Sequence, residues 1–405
     1  MNVLISGASV AGPVLAYWLR RAGYRVTVVE RTASLRTGDG GQAVDVLGPA
    51  VEVIERMGLL DAVERERTKT DVMTLHRPGK RPVTIHAAQL LAGISDRHVE
   101  IMRGDLAAIL HEATREEVEY RFGTTIAAMT DTGPAVDVTF DDGTRESYDL
   151  VVGADGLHSG VRRLAFGDES RYRHFLGGYL AVFTVPDLLG LGGAVHAYNA
   201  VDRAVAVYPT RRPDRARVVI MIRSERELVY DYRDGGEQRR LLRSLTADLG
   251  WEVPRLLEHL DAAEDFYFDS ISQIRLDSWS RGRIALVGDA GYGPGPAVGG
   301  GTSIALVGGY VLASELAAAG GDHRVALPAY QRAMAEPVAH SRRIGPAVMA
   351  TLIPRSTTQL WAMAQAIRLL PRLPRPVQRR LTSFGGGPAA MLEGVQLRPA
   401  PAVSN

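Results

Sequence analysis

The sequence has 405 residues and no cysteine. That absence removes disulfides, thiolate zinc sites, iron–sulfur clusters, redox dithiols and cysteine nucleophiles together. It also fits a reducing, cytoplasmic setting. Lysine is nearly absent: only Lys69 and Lys80 stand among the 47 basic residues, and the rest are arginine. With 43 glycines, this bias reads as composition rather than chemistry. The 47 basic residues face 46 acidic ones, so the formal charge is +1, without the basic excess of a nucleic-acid binder. No charged segment precedes an apolar stretch at the N-terminus, so no secretory signal is expected. The longest uncharged run, Ala290–Ser314, carries eight glycines and two prolines. Only Ser303–Ala319 can be continuous helix there, which is short for a transmembrane span. What is present is an apolar content of 46 %, ample for a core, and a length suited to two or three domains.

The N-terminus reads as strand, glycine turn, helix, strand: Val3–Ile5, Gly7–Gly12, Pro13–Ala22 and the β-branched run Val26–Val29 ending in Glu30. Helices are expected over Leu47–Met57, Leu59–Glu66 and Asp105–Arg115. A hairpin is expected over Val72–His76 and Val83–His86, and a meander of short strands leads to Leu150–Val152. Further strands are expected at Tyr179–Val185, Ala194–Asn199, Ala204–Pro209, Arg217–Ile222, Phe266–Ile274 and Ile284–Val287. Helices are expected at Gln238–Leu249, Pro254–Leu260 and Ser303–Ala319. The remainder reads as helix broken by prolines.

The turn Gly7-x-Ser9-x-x-Gly12 departs from the dinucleotide fingerprint at its middle position. Gly7 permits a tight turn, Gly12 permits close helix–strand packing, and the middle residue must be small where a pyrophosphate approaches the backbone. Serine is small, and its hydroxyl donates to phosphate. Val10 and Ala11 complete the turn, and Pro13 lies in the first helical turn, where a missing N–H costs nothing. The helix N-terminus then offers N–H groups and a positive dipole end to phosphates. Glu30, followed by Arg31, ends the second strand 23 residues after Gly7, placed to accept from ribose hydroxyls. This reads as a Rossmann nucleotide site, with NAD and FAD both open.

Two more apolar strands each deliver an aspartate beside glycine: Leu150–Gly153 before Asp155-Gly156, and Ile284–Val287 before Gly288-Asp289. One Asp-Gly alone is an ordinary turn. As an ordered set with the first motif, the three resemble the class A FAD-dependent aromatic hydroxylases, the p-hydroxybenzoate hydroxylase superfamily. Arg283–Leu316 is similar to the subgroup with tetracycline-inactivating and polyketide-tailoring monooxygenases.

The resemblance spans about residues 1–345 and implies an α/β protein: a Rossmann-like FAD-binding domain, an inserted mixed β-sheet substrate domain and C-terminal helices. The FAD-binding domain is expected over 1–70, 98–167 and 277–325, the substrate domain over 71–97 and 168–276, and a helical region and tail over 326–405. It implies that Glu30 binds the adenosine ribose and that Arg103 touches the ribityl and phosphate region. Asp289 would hold ribityl hydroxyls, Asp155 would support the pyrophosphate and NAD(P)H docking, and Asp45 would lie near the flavin ring. Gly288, Pro296, Gly299, Gly300, Gly301 and Thr302 complete the implied cofactor set. Gly299–Gly301 lets backbone N–H groups approach the flavin pyrimidine edge, and the following helix aims its positive end at N1 and C2=O. Gly291-Tyr292 stands where Ala-His is frequent in the family, and Gly299–Ser303 where Gly-Gln-Gly is common.

The implied chemistry is reduction of FAD by NAD(P)H, addition of O2 at C4a to give a hydroperoxide, and oxygenation of an aromatic or polyketide-like small molecule. The cofactor carries the hard step, which suits a chain with no acid–base constellation and no metal site; no catalytic residue is assigned. Phe183, His196, Tyr208, Met221, Arg223 and Gln273 are candidates for the substrate pocket. Strand alternation puts Ala206 and Tyr208 on one face, Val205 and Val207 on the other. Met349–Leu373 reads as a helical lid packed on the flavin domain, in preference to a membrane-surface helix. Both a monomer and a homodimer fit. A halogenase lacks support, since the four tryptophans are unpaired and lysine is scarce. A prenyl-substrate reductase and a non-catalytic binding protein of the same fold are the alternatives.

Overall fold

The computed structural model describes residues 1–35, 42–68, 70, 72–86, 97–296, 299–369, 392, 395 and 397–399. The chain opens with the expected βαβ unit. Strands Asn2–Ser6 and Arg25–Glu30 pair in parallel around the helix Ala11–Arg21. Val3, Leu4, Ile5, Val26, Val28 and Val29 are buried, as a parallel sheet covered on both faces requires. Leu150–Gly153 pairs in parallel on the other side of Asn2–Ser6, and Ile284–Leu286 pairs in parallel beyond it. Glu119–Phe122 and Ser280–Arg281 complete the six strands at the two edges. The four central strands therefore end at one edge of the sheet, in Ser6, Glu30, Gly153 and Leu286. Open α/β sheets bind ligands outside such carboxyl ends.

A second sheet has seven strands, in the spatial order Tyr267–Ile274, Arg173–Pro186, Arg215–Arg223, Arg203–Pro209, Ala194–Ala200, Val72–Arg77, Lys80–His86. Its pairing is antiparallel except between Ala194–Ala200 and Val72–Arg77, so the sheet is mixed. One face buries Tyr179, Phe183, Val205, Val207 and Ile220 in a core with Leu242, Val253 and Leu256 from the helices Gly235–Thr246 and Val253–Glu258. The other face, with Leu180, Val182, Val219 and Met221, meets Met349 and Ile353 at the end of the long helix His323–Leu352.

Three expectations need correction. Ala43–Leu47 is a strand, paired antiparallel with His98–Met102, and the following helix starts at Pro49. Pro328, Pro337 and Pro346 do not break the C-terminal helix; all three lie inside His323–Leu352, which is held by buried Ala326, Leu327, Tyr330, Met334 and Ile344. The helix Thr357–Leu369 packs on the hairpin of the seven-stranded sheet, with Ala364 against Leu75 and Val83, and not on the core around the six-stranded sheet. Leu370, Arg372, Arg375, Arg379 and Arg380, the rest of that amphipathic stretch, lie outside the described residues, as do Lys69, Gly41 and residues 87–96. Among the described residues one helix, Gly301–Ala318, is long and apolar enough to cross a membrane, but 78 % of that stretch is buried inside the protein. Its apolar surface serves the core.

Candidate functional site

The first turn is shaped by two glycines. Gly7 has φ +111°, and a Cβ there would lie 2.4 Å from the Ala154 carbonyl oxygen. A Cβ on Gly12 would lie 2.0 Å from the Gly7 carbonyl oxygen. The turn thus closes on itself and on the loop that follows Gly153. No side chain caps the helix Ala11–Arg21, so its N-terminus keeps its anion-binding character. Val10 and Ala11 are buried, and Arg31 is exposed. Glu30 faces the turn: its Oε2 accepts from Ala8 N at 3.0 Å, and its Oε1 accepts from the Thr32 amide and hydroxyl.

Ser9, the departure from the fingerprint, accepts a hydrogen bond from Arg103 Nη2 at 3.1 Å. Arg103 begins the helix Arg103–Glu112, is exposed, and makes no ion pair among the described residues. Its charge acts on Asp289. Asp289 opens a one-turn helix, Asp289–Tyr292, after Gly288. Gly288 has φ +65° and fits between Ala11 and Ala305, where a Cβ would meet theirs at 3.4 and 3.3 Å. The first and last strand–helix junctions therefore meet there. Asp289 is open to solvent, yet the protein around it pushes its carboxyl above the usual range by desolvation, against the pull of Arg103 and Arg162. A carboxylate that solvent reaches and protein surrounds is one on the wall of a cleft.

Pro296, Gly299 and Gly300 lead into the helix Gly301–Ala318, whose first turn holds Thr302, whose N-cap Gly300 is left-handed and which no side chain caps. Residues 297 and 298 lie outside the described residues. Ser303 Oγ donates to the Asp45 carbonyl at 2.8 Å and accepts from Leu47 N at 3.0 Å. This stitch sets the helix start beside Asp45, whose own carboxylate meets His98 Nε2 at 2.7 Å.

Asp155 is turned inward. It accepts from the Ser159 hydroxyl and from Val161 N at 3.1 Å, and so holds the turn before the helix Gly160–Phe166. Burial raises its carboxyl, opposed by those bonds and by Arg162. Arg162 is fully buried and ties the site's segments together: it donates to the Ala290 and Leu157 carbonyls and to Glu169. Nothing in the sequence around Arg162 marks it for burial, because its partners Ala290 and Glu169 come from other segments.

The six substrate candidates separate by sheet face. Phe183 is fully buried against the helices Gly235–Thr246 and Val253–Glu258, and is corrected to a core residue. His196 lies on that same face, pairs with Val207 across the ladder, and stacks on His76, which stacks on Trp251. Tyr208, Met221, Arg223 and Gln273 share the opposite face. There Arg223 donates to the Met349 and Ile353 carbonyls and pairs with Asp202. Gln273, fully buried, bonds to Arg342 and Arg275. Both anchor structure. Tyr208 accepts from Ala43 N at 3.2 Å, beside the Asp45 strand, and burial lifts its phenol to about 12. Met221 is half-buried beside Leu180 and Met349. Alternation holds in these strands, with Ala206 and Tyr208 opposite Val205 and Val207, but neither strand specifies which face the helices cover.

The family described as FAD binding domain matches residues 1–338. A flavin-dependent monooxygenase of Legionella longbeachae is 38 % identical over 345 residues, covering 85 % of this chain and 88 % of its own. An uncharacterized protein of Mycobacterium tuberculosis H37Rv is 44 % identical over 331 residues, 81 % of this chain and 88 % of its own. The crystal structure of tetracycline destructase Tet(51) has a TM-score of 0.82 at 32 % identity, with 95 % of this chain and 98 % of that one covered. The chain belongs to the FAD binding domain family of class A aromatic hydroxylases and is an FAD-dependent monooxygenase.

Proposed function

We propose that this monooxygenase uses NAD(P)H and O2 to hydroxylate an aromatic or polyketide-like small molecule, in secondary metabolism or antibiotic modification. The observation that carries the cofactor side is the convergence at Gly288: two helix N-termini without side-chain caps, Arg103 on Ser9, and Asp289 on a cleft wall. These residues fit FAD. Ser9, Arg103 and the Ala11 helix end would hold the pyrophosphate, with charge-assisted donors and free amides. Glu30 would exchange the Ala8 amide for ribose hydroxyls, and Asp289 would accept from the ribityl chain. The Gly301 helix end would face the flavin ring, where negative charge gathers on reduction. FAD, when bound, supplies the electron transfer and oxygen activation.

The protein's share is binding, orientation and exclusion of water. Asp155 and Arg162 keep the second junction rigid. Tyr208 and Met221, on the sheet face opposite Phe183, would border the substrate, and Asp45 would lie near the ring edge. NAD(P)H would bind transiently, since the sequence holds one dinucleotide turn and no second one. Similarity to Tet(51) supports a fused-ring polyketide as the first substrate class to try. The cysteine-free composition supports a cytoplasmic location.

The test is purification with FAD, followed by NADH and NADPH oxidation in the presence of phenols, tetracyclines and related polyketides. Substrate-stimulated oxidation, with oxygen incorporated into product, is expected. A yellow protein that no such compound stimulates would overturn the substrate class, and a colourless one would overturn the cofactor geometry.

A further inference from the structure

His158 follows Asp155 in the second junction and lies between carboxylates from two other segments. Its Nδ1 is 2.8 Å from Glu169 Oε1, and its Nε2 is 2.8 Å from Asp269 Oδ2. An ionised carboxylate only accepts hydrogen bonds, so both ring nitrogens must carry hydrogen. The geometry therefore calls for an imidazolium. Tyr232 covers the ring face, stacked at 4.5 Å and 13°, an arrangement that favours a cation.

Asp269 belongs to the edge strand of the seven-stranded sheet, while His158 lies in the turn that follows the strand Leu150–Gly153 of the six-stranded sheet, so the pair links a strand of one sheet to a loop of the other. Asp269 Oδ2 also accepts from the Tyr267 hydroxyl at 3.3 Å. Tyr267 lies two residues earlier, on the same face as Asp269, Met221 and Tyr208, and is 36 % exposed. Its phenol is pushed well up by desolvation, with Asp269 and Asp289 adding to the rise and Arg103 opposing it. Tyr267 is thus close enough to feel the charges of the two residues proposed for the ribityl and phosphate segment.

We propose that His158 is a positioning residue: as an imidazolium shared by Glu169 and Asp269, it fixes Asp269, and through it the Tyr267 hydroxyl, against the FAD segment held by Arg103 and Asp289. This rests on the cofactor placement given above. The surrounding charges fit it. Glu169 also takes Arg162 at 2.5 Å and Arg173 at 3.7 Å, and Arg173 pairs with Glu227. Three cations then face three carboxylates, and loss of the His158 proton leaves the cluster net negative beside Asp289. Asp155 and Asp289 act on Arg162 from outside the cluster, and Tyr179, Tyr230, Tyr232 and Tyr267 are the other titratable groups that face the assembly. Burial works against the charge, but the bonds to Asp269 and Glu169 outweigh it and lift the imidazole to about 9.

The experiment is FAD titration of the apoprotein, by flavin fluorescence, from pH 6 to 10. Wild type should hold a steady Kd up to about pH 8 and weaken about tenfold through about pH 9, the worth of one charge-assisted hydrogen bond. His158→Gln, with a single N–H donor group, should show the weak Kd already at pH 7 and no step. Tyr267→Phe keeps the ring packing and should also lose the step while its urea midpoint at pH 7 stays near wild type. It therefore decides the matter even if His158→Gln does not fold. A step that persists in Tyr267→Phe, or a wild-type Kd that is flat with pH, would overturn the clamp and leave the cofactor site standing. Failure of wild type to bind FAD at any pH would instead overturn the cofactor placement.

Discussion

Gly308 and Tyr292 make a sharp test of how the cofactor-side helix is seated. Tyr292 is fully buried at the end of the one-turn helix that Asp289 begins, with its hydroxyl 2.7 Å from that of Tyr330 and its ring 4.6 Å from Trp279. A Cβ at Gly308 would lie 2.1 Å from the Tyr292 hydroxyl but 3.3 Å from ring carbon Cζ. Gly308→Ala alone should therefore cost about 1–3 kcal/mol of overpacking, less the helix-propensity gain of about 1 kcal/mol. Tyr292→Phe alone should cost about 1 kcal/mol for the lost hydroxyl pair. In the double variant the close oxygen is gone, the Cβ has tolerable room, and the propensity gain is realised. The double should be no less stable than Tyr292→Phe, with a coupling of about 1–3 kcal/mol, within the range for residues in contact. Urea midpoints of the four proteins at one FAD concentration measure the cycle. FAD retention should fall in Gly308→Ala, because Asp289 rides on the same turn, and recover in the double. Additivity within about 0.5 kcal/mol would refute the claim that this hydroxyl reserves the space.

Other substitutions separate roles in the same way. Gly12→Ala drives a Cβ into the Gly7 backbone, which no rotamer change relieves, so the purified protein should be colourless and its Tm lowered. Asp289→Asn should act with opposite signs: the apoprotein gains stability because desolvation disfavours that charge, while FAD binds about 10- to 100-fold more weakly on fluorescence titration. Phe183→Ala should cost about 3–5 kcal/mol in urea unfolding and leave KM unchanged, whereas Tyr208→Phe should move KM and hardly touch the Tm. His158 supplies a pH dependence. Its folded pKa of about 9 lies above the unfolded value of 6.5, so its contribution is whole below pH 6.5 and is lost as the pH rises through 9. The loss approaches about 3 kcal/mol, seen as a falling urea midpoint in wild type that is missing in His158→Gln.

The parts of the fold that could be read in advance are those whose determinants are local. The βαβ opening, the two later strand–aspartate junctions and the turn of the hairpin each reside in one consecutive stretch, the longest of them Asn2–Glu30. Ser9 looked like a weakness in the fingerprint because its partner, Arg103, stands 94 positions away. His158 is silent in the sequence for the same reason: Asp269 is 111 positions distant, and a histidine shows nothing until both acids are in place. Ala43–Leu47 escaped notice as a strand because only pairing with His98–Met102 makes it one. Phe183 and Met221 were equally plausible pocket residues, since period-two alternation sorts faces but does not say which face two later helices will cover. The prolines of the long helix misled because a docked, half-buried helix outweighs a local penalty.

The strand order has a consequence for how the protein comes into being. The cofactor-side sheet begins at residue 2 and takes in its last parallel strand only at Ile284–Leu286, while the sheet beside it starts at Val72 and finishes at Ile274. Each sheet interrupts the other along the chain. During synthesis at about 5–20 residues per second, the Gly7–Gly12 turn emerges some tens of seconds before Gly288 can lock against Ala11. No nascent chain shorter than about 290 residues contains a complete cofactor cleft. Free FAD can therefore stabilise only chains that have grown past Asp289, and either sheet expressed by itself would present a bare edge to its neighbours.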